Sequence, residues 1–264
     1  MATGAAPALD DGGQAHRIAL RWGRPLALGL TLAILAIGGW IAAYRWGTVE
    51  RNGWVGVDLD IFLGFARRWL ATGSMYLPMQ LAGPFDPQPL GLTPSMYPPQ
   101  AIYLFAPFLV LPRILWWAIP LGIIGYAFAR WRPVPWTWPL LALMAVLPDT
   151  YTPVMVGGST MWMAAFVAAG LIWGWPGVLV TLKPSLLPFA ILGVNRRSWW
   201  IAAAAMAALA VPLWSAWADY LTVLRNAQTN LTYSLGSLPA MLLPVVAWAG
   251  RHRELIEATR ERRG

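Results

Sequence analysis

Two aspartates, Asp58 and Asp60, are the residues whose type and spacing point most directly to chemistry. Their i, i+2 spacing directs them to different sides of a helix, so they cannot act as one symmetric pair. Asp58 falls on an apolar face, where partial burial would raise its pKa and suit it to take a proton from a hydroxyl group. The alternative for Asp58 is a first-turn aspartate that stabilises the helix dipole.

Lys183 is the second candidate, because it is the only lysine among nineteen basic residues and lies inside an apolar stretch. A cation at mid-bilayer costs at least about 2.5 kcal/mol, so it normally faces a cavity, a partner or an anionic ligand. Phosphate is the ligand we expect, since an ammonium would stabilise charge on a departing phosphate group. The alternative is a lysine that extends to the interface or pairs with a carboxylate such as Asp149.

The segment 58–72, which carries both aspartates, is predicted to be an amphipathic helix lying along a membrane surface. One face carries Asp58 at its head, followed by Phe62, Phe65 and Trp69. The other face carries Asp60, Gly64, Arg67 and Arg68. On that polar face Asp60 is most simply explained by a solvated ion pair, and Arg67 and Arg68 are weaker candidates for contact with a phosphate.

Composition indicates an integral membrane protein, because 58% of the 264 residues are hydrophobic and only 11% are charged. Soluble domains carry about 25% charged residues. The net charge of +8 comes from small basic clusters between apolar segments, which does not favour a nucleic-acid partner. Without cysteine there is no disulfide, thiolate metal site or thiol nucleophile, and we predict neither a metal nor a cofactor.

The apolar segments predict an all-α polytopic membrane protein with about 7–8 hydrophobic segments, some of them re-entrant or half-length. They lie at roughly 25–46, 99–112, 113–131, 136–148, 159–175, 177–194, 198–218 and 236–250. The first segment is too long for the core of a signal peptide, so we expect it to be retained as a span.

Arginines beside the segments predict the orientation. Such clusters precede the first segment, precede the seventh and follow the last: Arg17, Arg21 and Arg24; Arg196 and Arg197; and Arg251, Arg253, Arg260, Arg262 and Arg263. The positive-inside rule makes all three sites cytoplasmic. We therefore expect cytoplasmic tails at 1–24 and 251–264, and a membrane domain at 25–250 whose outer loop is 47–98.

Two threadings agree with that orientation. In one, all eight segments cross, which leaves Arg130 and Arg132 outside. In the other, 99–112 dips into the membrane and returns to the outer face, and 177–194 forms two half-helices bent at Lys183-Pro184. We favour the second, which places the arginine pairs inside and implies a cavity, because irregular backbone at membrane depth must be buried or line a cavity.

Several short motifs resemble glycosyltransferase family 87, the polyprenyl-phosphate-dependent mannosyl- and arabinofuranosyltransferases of the GT-C superfamily. In order they are Val57-Asp58-Leu59-Asp60-Ile61-Phe62 continuing through Trp69-Leu70-Ala71-Thr72-Gly73 to Tyr76, Tyr97-Pro98-Pro99 with Ala106-Pro107 and Leu111-Pro112, Gly157-Gly158, and Leu182-Lys183-Pro184 followed by Asn195-Arg196-Arg197. The resemblance covers about residues 55 to 235. Members are usually longer, so we expect a shortened member of the family.

The resemblance implies an enzyme of the plasma membrane that moves one sugar from a polyprenyl-phosphate carrier to a lipid or glycan acceptor on the outer face. Asp58 matches the family's base, Lys183 would contact the phosphate, and Tyr97 would shape the pocket wall. The family is more permissive at the position of Asp60. The competing hypotheses are a non-catalytic scaffold that binds a lipid-linked sugar, and a small transporter.

Overall fold

A computed structural model describes residues 11–85, 95–228 and 236–251, with the backbone alone for 11–22. The described chain is all-α. Its α-helices are α1 Asp11–Arg51, α2 Val57–Thr72, α3 Pro78–Ala82, α4 Ile102–Phe105, α5 Leu115–Trp131, α6 Trp138–Val146, α7 Pro148–Val156, α8 Thr160–Trp173, α9 Arg197–Ala210, α10 Trp214–Asn226 and α11 Leu238–Ala249. Its 3₁₀-helices are Pro99–Ala101, Ala106–Leu109, Pro135–Thr137, Trp175–Leu182, Pro184–Ile191 and Val211–Leu213.

Two stretches of helix are long and apolar enough to cross a membrane, Gly23–Arg51 within α1 and Arg197–Asn226 across α9 and α10. Of the 18 most apolar consecutive residues in each stretch, only 6% and 11% are buried inside the protein. Leucine and tryptophan side chains such as Leu26 and Trp40 therefore face outward, where lipid is a better solvent for them than water. These helices indicate that the protein associates with a membrane.

A third candidate span is the pair α6 and α7, which bends by 54° at Leu147-Pro148. Leu147 is extended because the ring of a following proline disfavours helical backbone at the preceding residue. The prediction of an all-α chain is thus confirmed. Instead of the expected seven to eight hydrophobic segments, the described residues contain two, or up to three, candidate spans. The shorter apolar helices Pro99–Leu109, Thr160–Trp173 and Leu238–Ala249 do not reach spanning length.

Helix α8 is the centre of the fold, since every residue from Thr160 to Gly170 is buried. A helix that is apolar on all sides is stable only when neighbours surround it. Helices α5 and α11 and the 3₁₀-helix Trp175–Leu182 pack around α8. The residues at the start of α8 are therefore held in a fixed position.

Helix α2 packs its apolar face on the protein. Leu59, Phe62, Leu63, Phe65 and Ala66 are buried. The ring of Phe62 stacks on that of Phe105 with centroids 4.7 Å apart. The predicted extent of 58–72 agrees with α2 to within one residue. Its location at a membrane surface stays a prediction, and Asp58 at the head of the same face looks toward the body of the protein.

The helical backbone is interrupted at Lys183, as the Lys183-Pro184 sequence predicts. Trp175–Leu182 and Pro184–Ile191 are separate 3₁₀-helices, and Lys183 between them has φ −126° and ψ 87°. Glycines let this pair approach α8 closely. A Cβ on Gly170 would lie 2.8 Å from Cα of Gly177, so neither position has room for a side chain.

Replacing Gly193 by alanine is expected to destabilise the protein by about 1–3 kcal/mol. Gly193 has φ +102°, and a Cβ there would meet Cα of Gly174 at 2.9 Å. The thermal midpoint of purified protein measures the effect. Gly122→Ala is the matched control, because a Cβ at Gly122 meets nothing within 4 Å and alanine favours a helix by up to about 1 kcal/mol. Equal midpoints for the two variants would contradict the close packing described above.

Helix α1 is longer than its predicted segment 25–46. It begins at Asp11 within the predicted tail 1–24 and ends at Arg51 within the predicted loop 47–98. The helix continues because residues 26–51 contain no proline and no run of β-branched residues. The change in polarity after residue 46 does not by itself end the helix. Residues 1–10 of the N-terminal tail and 252–264 of the C-terminal tail lie outside the described residues.

Candidate active site

Asp58 lies in the first turn of α2, where its side chain is half-buried. The helix begins after Gly56, whose φ is 74° and whose N–H donates to the carbonyl of Met155 in α7 at 3.2 Å. The carboxylate lies beside Gly158, because a Cβ built on that glycine would be 3.1 Å from Oδ2 of Asp58. Any larger residue at position 158 would therefore crowd the carboxylate.

The turn between α7 and α8 is held by two indole rings. Gly157 ends α7 with φ 77°, and its carbonyl accepts a hydrogen bond of 2.8 Å from Nε1 of Trp116. Nε1 of Trp117 donates to the carbonyl of Val154 at 2.7 Å. Buried indole N–H groups require partners. These bonds fix the backbone against which Asp58 lies.

Lys183 reaches the same turn from the opposite side. Its Nζ donates to Oγ1 of Thr160 at 3.1 Å and to Oγ of Ser237 at 3.3 Å. The two hydroxyl oxygens are themselves 3.4 Å apart. Thr160 is the first residue of α8 and Ser237 is the cap of α11, so the ammonium lies where two helices begin.

Among the described residues, the direct hydrogen-bond partners of Lys183 carry no negative charge. The first turn of a helix carries a positive partial charge, and the hydroxyls that contact the ammonium are neutral. Asp149, the carboxylate that the sequence offered as an alternative partner, makes no salt bridge with Lys183. Asp60 with Arg113 is the salt bridge within the described ranges. A cation beside two helix N-termini is an arrangement that favours an anion.

Asp58 and Lys183 interact electrostatically across the turn, and both lie outside the candidate spans. Burial raises the pKa of Asp58 to about 6, and the charge of Lys183 opposes part of that rise. Burial lowers the pKa of Lys183 to about 8, and the charge of Asp58 opposes part of that fall. At neutral pH the site therefore holds a carboxylate able to accept a proton beside a cation able to hold an anion.

Tyr97 borders the site through Ser159. Its hydroxyl is 2.6 Å from Oγ of Ser159, the residue between Gly158 and Thr160. The ring of Tyr97 contacts those of Phe62 and Phe105 edge-on, with centroids 5.5 Å and 5.3 Å apart. The tyrosine therefore links the start of α8 to the aromatic core under α2.

The other predicted site residues lie elsewhere. Asp60 is exposed and accepts two hydrogen bonds, of 2.7 Å and 3.0 Å, from the guanidinium of Arg113. The ion pair of Asp60 is confirmed, but its partner is distant in sequence and is not an arginine of its own helix. Arg67 is exposed, and Arg68 donates to the carbonyl of Met75 at 3.1 Å while burial lowers its pKa. The structure does not bring these three residues to the turn.

Thr160, Ser237 and Ser159 are site residues that the sequence did not reveal. Each is a single hydroxyl residue, and Ser237 lies 54 residues after Lys183, so no local spacing links them. Only the adjacency of Ser159 and Thr160 to Gly157-Gly158 carried a signal. Within the described part of the chain, histidine, aspartate and glutamate form no cluster that could hold a metal ion.

No protein-family model, curated protein or solved structure matches the chain. The resemblance to glycosyltransferase family 87 therefore stays a prediction from short motifs. The structural evidence about function is the turn that Asp58 and Lys183 both approach.

Proposed function

We propose that the chain is a membrane glycosyltransferase of the GT-C type, with Asp58 as general base. It transfers a single mannose-like or arabinofuranose-like sugar, with inversion, from a polyprenyl-phosphate donor to a hydroxyl of a lipid or glycan acceptor. The reaction takes place at the outer face of the plasma membrane, and the N- and C-termini are cytoplasmic.

One observation carries the proposal: a half-buried carboxylate and a hydroxyl-bound ammonium lie at the same buried turn. A Cβ built on Gly158 would be 3.1 Å from Oδ2 of Asp58, and Thr160 two residues later accepts a hydrogen bond from Lys183. Sugar transfer from a phosphate carrier needs a base for the acceptor and a cation for the leaving phosphate. Asp58 and Lys183 supply one of each, and both side chains reach the stretch from Gly158 to Thr160.

The proposed reaction is a single displacement. Asp58 takes the proton of the acceptor hydroxyl while that oxygen forms a bond to the anomeric carbon. The bond between the anomeric carbon and the phosphate oxygen breaks, and its electron pair leaves with the polyprenyl phosphate. Lys183, with the hydroxyls of Thr160 and Ser237, stabilises the charge that gathers on that phosphate.

A lipid-linked donor fits the surroundings of the site. The candidate spans Gly23–Arg51 and Arg197–Asn226 expose apolar side chains along most of their length. A polyprenyl chain dissolves in the same hydrocarbon that would surround those helices. The donor would therefore reach the turn laterally, and its charged phosphate would be the part that needs protein contacts.

The direct test incubates purified protein in lipid vesicles with polyprenyl-phosphate-linked mannose or arabinofuranose and a mixture of lipid and glycan acceptors. We expect a new glycoside together with free polyprenyl phosphate. A transporter would instead move the donor across the vesicle without changing its covalent structure. A scaffold would bind the donor and leave it intact, and either result would overturn the proposal.

The pH dependence of the second-order rate kcat/KM is expected to be bell-shaped. The rate should rise as pH passes about 6, because Asp58 accepts a proton only when it is ionised. It should fall as pH passes about 8, because Lys183 loses its charge there. Initial rates at subsaturating donor between pH 4.5 and 9.5, a range of about five units, measure both limbs.

Variants assign the two limbs of the profile. Lys183→Arg keeps its charge well above pH 8, since the pKa of arginine is about 12.5 or higher, so its falling limb should move upward. Asp60→Asn should leave both limbs in place. An acid limb below pH 5, near the ordinary pKa of about 3.9 for aspartate, would contradict the role of buried Asp58.

A further inference from the structure

We propose that anion binding at Lys183 is coupled to proton uptake by Asp58. The inference rests on the proposed function, whose phosphate-bearing donor would be the physiological anion. It adds a regulatory property to that site: with the donor bound, Asp58 stays ionised only at a higher pH than without it, so donor binding shifts the pH range in which the base is active.

The coupling follows from what each group contacts. Among the described residues, Lys183 pairs with no carboxylate and donates to the hydroxyls of Thr160 and Ser237. Asp58 lies across the turn, with Gly158 against its Oδ2, and the helix that it heads shows no side-chain cap bond. Among the described residues, each charge is the one that acts on the other, and no salt bridge joins them.

Other titratable groups around Asp58 do not take over this role. Asp60 on the same helix points to Arg113, and these two charges neutralise each other. Asp149 lies in the first turn of α7, and a Cβ built on Gly236, the residue before Ser237, would be 3.5 Å from its Oδ1, but Asp149 forms no salt bridge with Lys183. The hydroxyl of Tyr97 is hydrogen-bonded to Ser159. Among the described residues, Lys183 is the charge that acts on Asp58.

An anion on Lys183 cancels the attraction that favours the ionised carboxylate and adds repulsion of its own. The pKa of Asp58 must then rise, so a proton is taken up from solvent when the anion binds near that pKa. Linkage makes the effect reciprocal: protonation of Asp58 must strengthen anion binding by the same factor. Anion affinity should therefore increase as pH falls through about 6.

Sulfate is a suitable probe, because it keeps its charge throughout this range. Calorimetric titration of the detergent-purified protein with sulfate at pH 5 to 7.5 should give at least about fivefold tighter binding at the acid end, a typical size for coupled sites. Asp58→Asn should lose the increase in sulfate affinity that accompanies the fall of pH through about 6. Asp60→Asn, the matched control two residues away, should retain the dependence of the unchanged protein.

The outcomes separate the inference from the proposed function. If Asp58→Asn keeps the full pH dependence, or if Asp60→Asn loses it, the coupling is wrong while the anion site stands. If sulfate binds no more tightly to the unchanged protein than to Lys183→Met, the anion site itself fails and the coupling with it. Activity in the vesicle assay tests the sugar transfer independently of either result.

Discussion

Asp58→Asn is expected to lower kcat for sugar transfer by about 10²–10⁴-fold, the range that a positioned general base contributes. Asparagine preserves the size of the side chain but cannot accept the acceptor's proton. The fold should persist, because the carboxylate supports no side-chain cap of α2 and its burial disfavours the charge that is removed. Turnover of a radiolabelled polyprenyl-phosphate sugar measures the rate, and thermal unfolding measures the fold.

Asp60→Asn is the control that makes this result specific. Asp60 lies two residues after Asp58 and also carries a carboxylate. It pairs with Arg113 at an exposed site, where the side chain of Asp60 is 53% accessible. Exposed ion pairs contribute about 0–1 kcal/mol, so Asp60→Asn should keep near-normal stability and rate. If the two variants lose activity equally, the loss reflects the first turn of α2 as a whole. Asp58 would then have no special role as the base.

The elements next to the site could be predicted because local signals define them. The period of apolar residues predicts a helix at 58–72, which the structure has as Val57–Thr72. The proline after Lys183 predicts the end of the helical backbone that the structure shows there. The apolar face of α2 also indicates correctly that Asp58 turns inward while Asp60 faces solvent. Periodicity and proline act within a few residues, so a single sequence reveals them.

The number of spans could not be predicted in the same way. Hydrophobicity shows that a segment avoids water but does not distinguish lipid from the interior of the protein. Helix α8 illustrates this, because its apolar sequence is explained by complete burial among other helices and its 14 residues are too few to cross a bilayer. Length measured on the structure, rather than polarity, separates α8 from Gly23–Arg51.

The polar contacts of the site also lay beyond sequence reasoning. Arg113 lies 53 residues from Asp60, and Ser237 lies 77 residues from Thr160. Serine, threonine and arginine are common, so nothing in the chain singles out these copies before the helices pack. Lys183 could be singled out because it is the only lysine and it interrupts an apolar stretch. Rarity and polarity mismatch are visible in sequence, whereas ordinary residues in tertiary contact are not.

Lys183→Met is expected to lower kcat/KM by about 10²–10³-fold, which is the effect of removing one preorganised group that stabilises transition-state charge. Methionine retains the length and apolar stem of lysine but cannot bind the departing phosphate. Arg67→Gln provides the control, since Arg67 is exposed on α2 and is not part of the turn. A larger loss for Arg67→Gln than for Lys183→Met would show that the phosphate is held elsewhere.

The thermal stability of Lys183→Met distinguishes a structural role for Lys183 from a role in the reaction. Its ammonium is partly buried beside the positive ends of α8 and α11, with hydroxyls as its hydrogen-bond partners among the described residues, an arrangement that costs the folded protein free energy. Removing the charge should therefore leave the thermal midpoint unchanged or raise it while activity is lost, because functional sites commonly sacrifice stability. A lower midpoint for Lys183→Met would identify the lysine as a structural link between the two helix starts. Inactivity of that variant would then carry no information about phosphate.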